Sequence, residues 1–312
     1  MHEDVQKKIQ SVRWYHSYEV LPGVITPGQH PWDAKRTLDH LGVPHDLRGK
    51  RALDVGTWDG PLAFELENRG ADVDAIDVQD PDCTAFNTAK GLRNSKVRYR
   101  QLSVYDINKT FPYKFDLITY FGVYYHLKHP LLGFEALAEA LAPDGRLYFE
   151  GELLVNYTET FAGERSNLDD RTLAESDVPL AACYAGEYKN ASNWFVPNLT
   201  ALRGWLEAAG LEMTWYELTV MDETPGGAYP TQRITAKAEK IAGFGVVDET
   251  NIFEANLKIP ERWWDHQYAL RRRRKQQAEA GRAALLRTRP AAPPAPPGLI
   301  TRVLNRVLGK SA

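Results

Sequence analysis

The sequence predicts an α/β fold in which helices cover both faces of a doubly wound, mostly parallel sheet. Between residues 51 and 155, short apolar segments alternate with helical stretches, the pattern of strand–helix–strand units. A glycine-containing turn joins the first of these strands to a helix, and the next strand ends in an aspartate. An N-terminal lid segment and a basic C-terminal tail are predicted to flank this core.

Each element follows from local signals, taken in chain order. An aromatic, turn-rich segment at residues 14–32 is predicted to be the lid or entrance. The predicted helices cover residues 33–41, 61–69 and 199–209. The predicted strands cover residues 52–55, 73–76, 97–102, 115–120, 146–150 and 213–218. The strand at residues 213–218 is expected to complete the sheet.

The same signals divide the chain into four parts. Residues 1–45 form the lid segment, and residues 46–240 form the cofactor-binding domain, with an insertion at residues 156–193 over the carboxyl edge of the sheet. Residues 241–289 form a C-terminal extension with a charged helix. Residues 290–312 combine a proline-rich linker with a short, basic amphipathic helix.

Composition narrows the class of protein. With 312 residues and 43% hydrophobic content, the chain can bury a large core. The two cysteines, Cys83 and Cys183, are far apart and lack metal-ligand spacing, so neither a disulfide framework nor a zinc site is predicted, while metal dependence stays open. No segment resembles a signal peptide or a membrane span. We therefore expect a cytoplasmic protein.

Charge is distributed unevenly along the chain. Residues 271–312 carry eleven Lys or Arg and one acidic residue, which leaves about −13 on the rest of a chain whose net charge is −3. The acidic body argues against a broad nucleic-acid-binding face. The tail has three open interpretations: packing on its own domain, contact with a second subunit in a homo-oligomer, or peripheral docking at the inner membrane surface.

The glycine turn predicts the kind of cofactor. Gly56 lets the backbone approach a ligand, and Gly60 lets the helix start close to the sheet. Trp58 stands where a dinucleotide-binding turn has the glycine that makes room for a pyrophosphate. Asp77, at the end of the next strand, is placed to accept hydrogen bonds from ribose hydroxyls. S-adenosylmethionine, an adenosine cofactor without phosphates, is favoured over a dinucleotide or a merely structural turn.

Three segments carry a resemblance to a known family: LDVGTWDGPLAFE at residues 53–65, FGVYYHLKHP at 121–130 and NWFVPNLTALRGWLEAAGLE at 193–212. They resemble class I S-adenosylmethionine-dependent methyltransferases, which have a Rossmann-like fold. More narrowly, they are similar to the branch that includes the bacterial enzyme that carboxymethylates tRNA wobble 5-hydroxyuridine. The likeness covers about residues 14–233 and leaves the tail unexplained.

The resemblance implies which positions hold the cofactor. Asp54 and Gly56 would face its methionine part, and Asp77 would face the ribose. The adenine would lie between Val78 on one side and, on the other, the two residues after the third strand, Ser103 and Val104.

The resemblance also implies where the acceptor lies. Phe121 and Gly122, after the fourth strand, would lie where methyl donor and acceptor meet, and Tyr125 would point toward the pocket. The tRNA enzyme uses a carboxylated cofactor, whose extra carboxylate needs a cation such as a lysine before the first strand. That region reads WYH here, so ordinary S-adenosylmethionine is favoured. In the sequence, Arg233 falls near the position at which the tRNA enzyme has an arginine that also contacts this carboxylate. This keeps the carboxylated cofactor as an alternative.

Transfer of a methyl group to a hydroxyl requires a base. His126 is the first candidate and His16 the rival, although a histidine at position 126 could equally cap a helix or bond to backbone. Tyr15, Trp32 and Trp194 are candidates for aromatic walls around a ring-shaped acceptor, with ordinary core packing as the alternative.

Three functions remain open at this stage. The favoured one is O-methylation of a small molecule, a carbohydrate or glycan, or a natural product. The second is modification of a tRNA wobble uridine, supported by the resemblance and the basic tail. The third is a non-catalytic cofactor-binding module that recruits a membrane or partner through the tail.

Overall fold

The computed structural model describes residues 2–154, 157–159, 165–167, 178–188, 192–221 and 231–241. Beyond residue 241, the predicted C-terminal extension, proline-rich linker and amphipathic helix lie outside the described residues. Most of the insertion predicted at residues 156–193 also lies outside them.

The described residues form seven α-helices, fifteen strands and two short 3-10 helices. The α-helices are α1 (His2–Gln10), α2 (Ala34–His40), α3 (Pro61–Asn68), α4 (Phe86–Arg93), α5 (Ile107–Thr110), α6 (Pro130–Ala140) and α7 (Leu199–Ala208). The strands are β1 (His16–Ser17), β2 (Glu19–Leu21), β3 (Val24–Ile25), β4 (His30–Pro31), β5 (Arg51–Val55), β6 (Asp72–Asp77), β7 (Arg98–Gln101), β8 (Phe115–Phe121), β9 (Leu141–Glu152), β10 (Tyr157–Glu159), β11 (Arg165–Asn167), β12 (Ala181–Tyr188), β13 (Asn193–Pro197), β14 (Leu211–Met221) and β15 (Thr231–Lys240). The 3-10 helices are Val104–Asp106 and Tyr124–His126.

Seven strands form the central sheet, in the order β14-β15-β9-β8-β5-β6-β7. Pairing is parallel from β7 through β6, β5 and β8 to β9, whereas β15 is antiparallel to both β9 and β14. The predicted doubly wound, mostly parallel sheet is confirmed. Strand order reverses between β5 and β8, the switch point where open α/β sheets bind ligands beyond the carboxyl ends of their strands.

Most elements predicted from the pattern are confirmed. The strands predicted at residues 52–55, 73–76, 97–102 and 115–120 are β5, β6, β7 and β8, and the strand predicted at residues 146–150 is the second half of β9. The predicted helices at residues 33–41, 61–69 and 199–209 are α2, α3 and α7. Their apolar periodicity was strong enough to identify each of them.

One prediction about the sheet is wrong. The strand predicted at residues 213–218 is β14, but it does not complete the sheet, because β15 lies between β14 and β9. In β15, the buried residues Gln232, Ile234, Ala236 and Ala238 alternate with partly exposed ones. Alanine has low β-propensity, so this regular alternation carried little strand signal.

Local chemistry fixes where the main helices begin. The Asp33 carboxylate caps α2 by accepting a hydrogen bond from the Arg36 amide at 2.9 Å. The Asn198 side chain caps α7 in the same way, accepting from the Ala201 amide at 2.8 Å. Pro61 and Pro130 open α3 and α6, where a missing amide hydrogen removes no helical bond.

Two apolar clusters pack against opposite faces of the sheet. Leu53 and Val55 of β5 belong to one cluster with residues of α6 and α7, while Ala52 belongs to the other with residues of α2, α3 and α4. This division follows from the alternation of side chains along a strand. Asp54 alternates with Leu53 and Val55 and is therefore on the Ala52 face.

The N-terminal segment is built into the second cluster. Trp14, Tyr18, Val20 and Val24 are buried there, and the Trp14 indole donates a hydrogen bond to the carbonyl of Ile9 at 2.8 Å. Residues 14–32, predicted as an entrance, thus contribute core side chains as well as the exposed ring of Tyr15. Among the helices described, none combines the length and apolar character needed to span a bilayer.

Candidate functional site

The glycine turn between β5 and α3 is tightly held. The amides of Gly56 and Thr57 both donate to the carbonyl of Ile76 on β6, at 2.9 and 3.2 Å. Gly56 has φ +75°, and a Cβ there would lie 2.3 Å from Cγ2 of Val123. Only glycine therefore allows the turn after β5 to approach the loop after β8 this closely.

Trp58 occupies the middle of the turn with a left-handed backbone, φ +49°. Its amide donates to Oδ2 of Asp77 at 3.0 Å, which helps hold a conformation that is unfavourable for a bulky residue. The indole is 37% exposed, and its ring centroid lies 5.3 Å from that of Tyr15. The tryptophan therefore forms part of the rim of the sheet edge.

Asp77 closes β6 with a buried carboxylate. Oδ2 accepts the Trp58 amide and Oδ1 accepts the Gln79 amide at 3.0 Å. Desolvation raises the pKa of Asp77, while these backbone hydrogen bonds act in the opposite direction. A carboxylate has about four acceptor positions, so capacity remains for a hydrogen bond from the ribose.

Asp54 lies next to it with an unsatisfied oxygen. Its Oδ1 accepts the Thr119 hydroxyl at 2.6 Å, but within the described residues Oδ2 has no hydrogen-bond partner. The nearby hydroxyl of Thr57 is likewise buried and unpaired there. Desolvation raises the pKa of Asp54 to about 6, and the negative charge of Asp77 adds to the rise.

These observations fit S-adenosylmethionine. The orphaned Oδ2 of Asp54 would accept a hydrogen bond from the ammonium group of the methionine part, and Asp77 would hold the ribose. Two hydrogen bonds join the ends of β6 and β7 next to Asp77. The Leu102 amide donates to the carbonyl of Asp77 at 2.8 Å, and the Gln101 side chain donates to the carbonyl of Val78 at 3.0 Å.

The residues predicted to enclose the adenine lie at this same edge. Val78 is 61% exposed after β6, and Ser103 caps the 3-10 helix after β7, its hydroxyl 3.3 Å from the amide of Tyr105. Val104 follows and is buried. The structure thus brings both predicted sides of the adenine to neighbouring strand ends, and their contact with a cofactor stays a prediction.

On the other side of the switch point, Phe121 ends β8 and Gly122 follows in a left-handed conformation with φ +71°. The Gly122 amide donates to the carbonyl of Glu150 at 2.9 Å. Tyr125 is buried beside them, and desolvation raises its pKa to about 12. The Tyr125 hydroxyl therefore stays protonated at neutral pH, and its ring is buried beside the carboxyl end of β8.

Arg233 on β15 is committed to carboxylates within the protein. Its Nε and Nη2 both bind the carboxylate of Glu150, the latter at 2.8 Å, and Nη2 also donates to the Tyr125 hydroxyl at 3.1 Å. Oε2 of Glu152 lies 3.8 Å from Nη1. Although desolvation opposes it, Glu150 raises the pKa of Arg233. The guanidinium is paired on both of its edges.

The N-terminal segment meets the glycine turn at Asp59, whose carboxylate is fully buried. Oδ2 accepts the amides of Tyr15 and His16 at 3.1 and 2.8 Å, and Oδ1 is within hydrogen-bonding distance of Nδ1 of His16. The carbonyl of Asp59 accepts the Tyr18 hydroxyl at 2.9 Å. Sequence reasoning missed Asp59 because its partners lie more than forty positions away.

Trp32 contacts both His16, which is bound to Asp59, and Phe121 at the end of β8. Its ring centroid lies 4.6 Å from that of His16 and 5.9 Å from that of Phe121. The Trp32 indole donates to the Thr37 hydroxyl at 2.9 Å, which fixes the ring. Of the predicted aromatic residues, Tyr15 and Trp32 therefore lie together near the switch point.

His126 ends the 3-10 helix after β8, within electrostatic range of Arg233 and Glu152, and Trp194 lies in β13. The exposed His126 has Nδ1 3.2 Å from the carbonyl of Ser192, and Lys128 Nζ lies 4.5 Å from the centre of the Trp194 ring. Desolvation lowers the pKa of His126. In the part of the chain that is described, no group of three His, Cys, Asp or Glu residues is arranged to hold a metal ion.

Glu150, Glu152 and Thr119 are further site residues that sequence reasoning missed. Each lies on a strand that the pattern identified, but its importance depends on a neighbour in another strand. A polar residue within an apolar strand was the available signal, as at Thr119 in the run Phe115–Phe121. That signal marks a buried polar group without naming its partner.

Comparison with known proteins gives a consistent result. A family model described as a methyltransferase domain matches residues 33–215. The chain is 28% identical over 200 residues to a tRNA U34 carboxymethyltransferase of Helicobacter pylori strain Shi470, covering 62% of this chain and 68% of that protein.

Two further matches are shorter or more distant. Over 114 residues the chain is 33% identical to a ubiquinone biosynthesis O-methyltransferase of Neisseria meningitidis serogroup C, covering 36% of this chain and 48% of that protein. The crystal structure of an S-adenosylmethionine dependent methyltransferase from Mesorhizobium loti is similar with a TM-score of 0.47 and 15% identity, covering 67% of this chain and 98% of that one.

Proposed function

We propose that this chain, which belongs to the methyltransferase-domain family, uses S-adenosylmethionine to methylate a hydroxyl group of a small molecule or carbohydrate. The cofactor supplies a methyl group on a positively charged sulfonium. The protein's part is to hold donor and acceptor in line and to remove the hydroxyl proton.

The pairing of Arg233 is the observation that carries the proposal. A carboxylated cofactor or an anionic acceptor needs a cation with open hydrogen-bonding positions, but Arg233 is bound by Glu150 on one edge and faces Glu152 on the other. Displacing these carboxylates would leave buried negative charge without a partner. An uncharged acceptor and ordinary S-adenosylmethionine suit this arrangement.

The aromatic residues support a ring-shaped acceptor. Tyr15, Trp32, Phe121 and Tyr125 lie around the end of β8, and Trp32 contacts Phe121. Tyr15 is 44% exposed, and its hydroxyl lies within electrostatic range of Arg233 and Glu150, which modify a pKa that desolvation raises. Flat apolar faces with hydroxyls at their edges suit sugars and aromatic rings alike.

Modification of tRNA wobble uridine is the second candidate. The similarity to tRNA U34 carboxymethyltransferases favours it, as does the run of basic residues at 271–275. Two observations weigh against it: the excess of acidic residues before residue 271, and the paired state of Arg233. The O-methyltransferase of N. meningitidis, by its name, acts in the way that we prefer.

Methyl-labelled S-adenosylmethionine separates the two candidates. The full chain is offered the label with either a small-molecule extract or bulk tRNA as the acceptor. We expect the label in a small product that survives alkali, because an ether is stable where a methyl ester is not. Incorporation into tRNA instead, with a steep salt dependence of tRNA binding that is lost on deleting residues 271–312, would overturn the proposal.

A further inference from the structure

We propose that Nε2 of His16, with the ring positioned by Asp59, takes the proton from the acceptor hydroxyl. This inference rests on the proposed function and names the group that performs its proton transfer. His126, the first candidate from the sequence, has its Nδ1 beside a backbone carbonyl, that of Ser192, and is not hydrogen-bonded to a carboxylate among the described residues.

Asp59 fixes the position of His16 by three hydrogen bonds. One carboxylate oxygen accepts the backbone amides of Tyr15 and His16, and the other accepts Nδ1–H of the His16 ring. Both side chains are almost fully buried, with exposed fractions of 8% for His16 and 0% for Asp59. Backbone and ring are thus anchored to the same carboxylate, so the ring cannot turn without breaking the clasp.

The same contact selects the tautomer. A carboxylate is only an acceptor, so the nitrogen that faces it must carry the proton, which leaves the lone pair on Nε2. Among the described residues, the hydrogen bonds of the ring involve Nδ1 alone, so Nε2 is available to a ligand. Asp59 also stabilises the imidazolium that forms when Nε2 accepts a proton.

His16 lies between the two halves of the sheet edge. Asp59 is one residue beyond Trp58, whose amide binds Asp77 on the cofactor side. On the acceptor side, the Trp32 ring contacts both His16 and Phe121, with ring centroids 4.6 and 5.9 Å away. Among the described residues, the charged and titratable neighbours of the His16 ring are Asp59, His30 and Tyr15.

His126 differs in the features that matter for a base. Its Nδ1 faces the carbonyl of Ser192 at 3.2 Å, a neutral acceptor that stabilises an imidazolium less than a carboxylate does. The side chain is exposed, so water competes for its nitrogens. His16 is held in a drier place by a stronger partner.

The proposed methyl transfer balances in atoms and electrons. The acceptor oxygen forms a bond to the methyl carbon as the carbon–sulfur bond breaks, and that electron pair stays on sulfur. The hydroxyl proton passes to Nε2 of His16 and later leaves to water. No oxidant, reductant or metal is required.

The first test reads the tautomer without any acceptor. In the full chain labelled with ¹⁵N-histidine, long-range nitrogen–proton correlation spectra at pH 7.5 report which ring nitrogen carries hydrogen, and His16→Gln assigns the signal. We expect Nδ1–H with a bare Nε2. In Asp59→Asn, the amide NH₂ can donate to Nδ1, so we expect the proton to move to Nε2. A protonated Nε2 in the parent chain would overturn the inference.

The second test measures turnover on the small-molecule fraction that the parent chain methylates. We expect His16→Gln and Asp59→Asn each to lower kcat by about 10² to 10⁴-fold while S-adenosylhomocysteine still binds within about 3-fold. His45→Gln, the same change at an exposed histidine, is the matched control. Retained kcat in His16→Gln, or the loss in His126→Gln instead, would overturn the inference. An inactive parent chain would count against the proposed function, and the tautomer would still decide the state of His16.

Discussion

The two sides of the switch point differ in whether their buried charged side chains have partners within the protein. On the cofactor side, Asp54 and Asp77 are buried carboxylates with raised pKa values, and Oδ2 of Asp54 has no partner among the described residues. On the acceptor side, Arg233 is bound by Glu150 and faces Glu152. One side is left needing a cationic ligand, whereas the other has already neutralised its own cation.

This difference explains how one edge can hold two unlike ligands. A buried acceptor without a partner destabilises the ligand-free protein and is satisfied when an ammonium group binds. A paired arginine offers little to an anion but still positions the hydroxyl of Tyr125. The comparison predicts that substitutions on the cofactor side change affinity most, whereas substitutions on the acceptor side change stability and selectivity.

Asp77→Ala should have the largest effect on cofactor affinity. It removes the proposed ribose contacts and also the acceptor for the amides of Trp58 and Gln79, so the turn loses its support. We expect S-adenosylhomocysteine to bind at least about 100-fold more weakly, a change of about 3 kcal/mol, measured by titration calorimetry.

Asp80→Ala is the matched control. Asp80 lies three positions after Asp77, is exposed, and its carboxylate accepts a local hydrogen bond from the amide of Asp82. We expect it to bind S-adenosylhomocysteine as the parent chain does. Equal affinity in Asp77→Ala and Asp80→Ala would remove Asp77 from the cofactor site.

Asp54→Asn should weaken binding and stabilise the ligand-free protein at the same time. The rise in the pKa of Asp54 from 3.8 to about 6 means that its charged form destabilises the fold by about 3 kcal/mol above pH 6. The amide is uncharged and can keep the bond to Thr119. We expect about 2 kcal/mol more stability in denaturant unfolding at pH 8 and about 10-fold weaker binding of S-adenosylhomocysteine.

The pH dependence of the free energy of unfolding tests the direction of this effect of Asp54. Because folding raises the pKa of Asp54, its contribution to stability is greatest below pH 3.8 and is lost as the pH rises toward about 6. The advantage of Asp54→Asn should therefore be small at pH 4.5 and full at pH 8. An advantage that shrinks as the pH rises would contradict this account of Asp54.

Glu150→Gln should have the smallest effect on the cofactor and a moderate effect on stability. Arg233 would lose its two-point charged partner and keep the Tyr125 hydroxyl and the more distant carboxylate of Glu152, so we expect a loss of about 2 kcal/mol in the free energy of unfolding. Binding of S-adenosylhomocysteine should change less than about 2-fold, and a carboxylated cofactor should bind better than before.

Glu239→Gln breaks the exposed pair with Arg146, which joins the same two strands, and should lower stability by less than about 1 kcal/mol. If the two variants lose the same stability, the Glu150–Arg233 pair is no more than a surface ion pair. If Glu150→Gln weakens S-adenosylhomocysteine binding as much as Asp54→Asn does, the division between the two sides is wrong.

Much of the fold could be predicted from local pattern. Strands β5, β6 and β8 are apolar runs, α2 and α7 have capping residues, and Gly56 and Gly60 mark the turn. Such signals depend on residues close in sequence, so they can be read from a single chain. The sequence did not reveal strand β15, because two of its four buried positions are alanine and a third is glutamine, residues with weak strand preference that form a strand here through pairing with β9 and β14.

The residues of the candidate site likewise fall into those that local pattern predicts and those that depend on distant partners. Asp54, Gly56, Trp58 and Asp77 stood out because strand ends and glycine turns are local features, and parallel strands bring their carboxyl ends to one edge. The ranking of His126 above His16 could not be tested in the same way. It depends on Asp59, a residue distant in sequence that holds one histidine and not the other.

By itself, the sequence determined the sheet's main strands, the turn between β5 and α3, and the acidic residue that closes β6, because each depends on backbone preferences and apolar periodicity within a few residues. Only the tertiary structure decided that Arg233 is paired, that Oδ2 of Asp54 is left without a described partner, and that Asp59 clasps His16. Charge and hydrogen bonding depend on neighbours in space, and a buried group's state is set by which distant residues the fold places beside it.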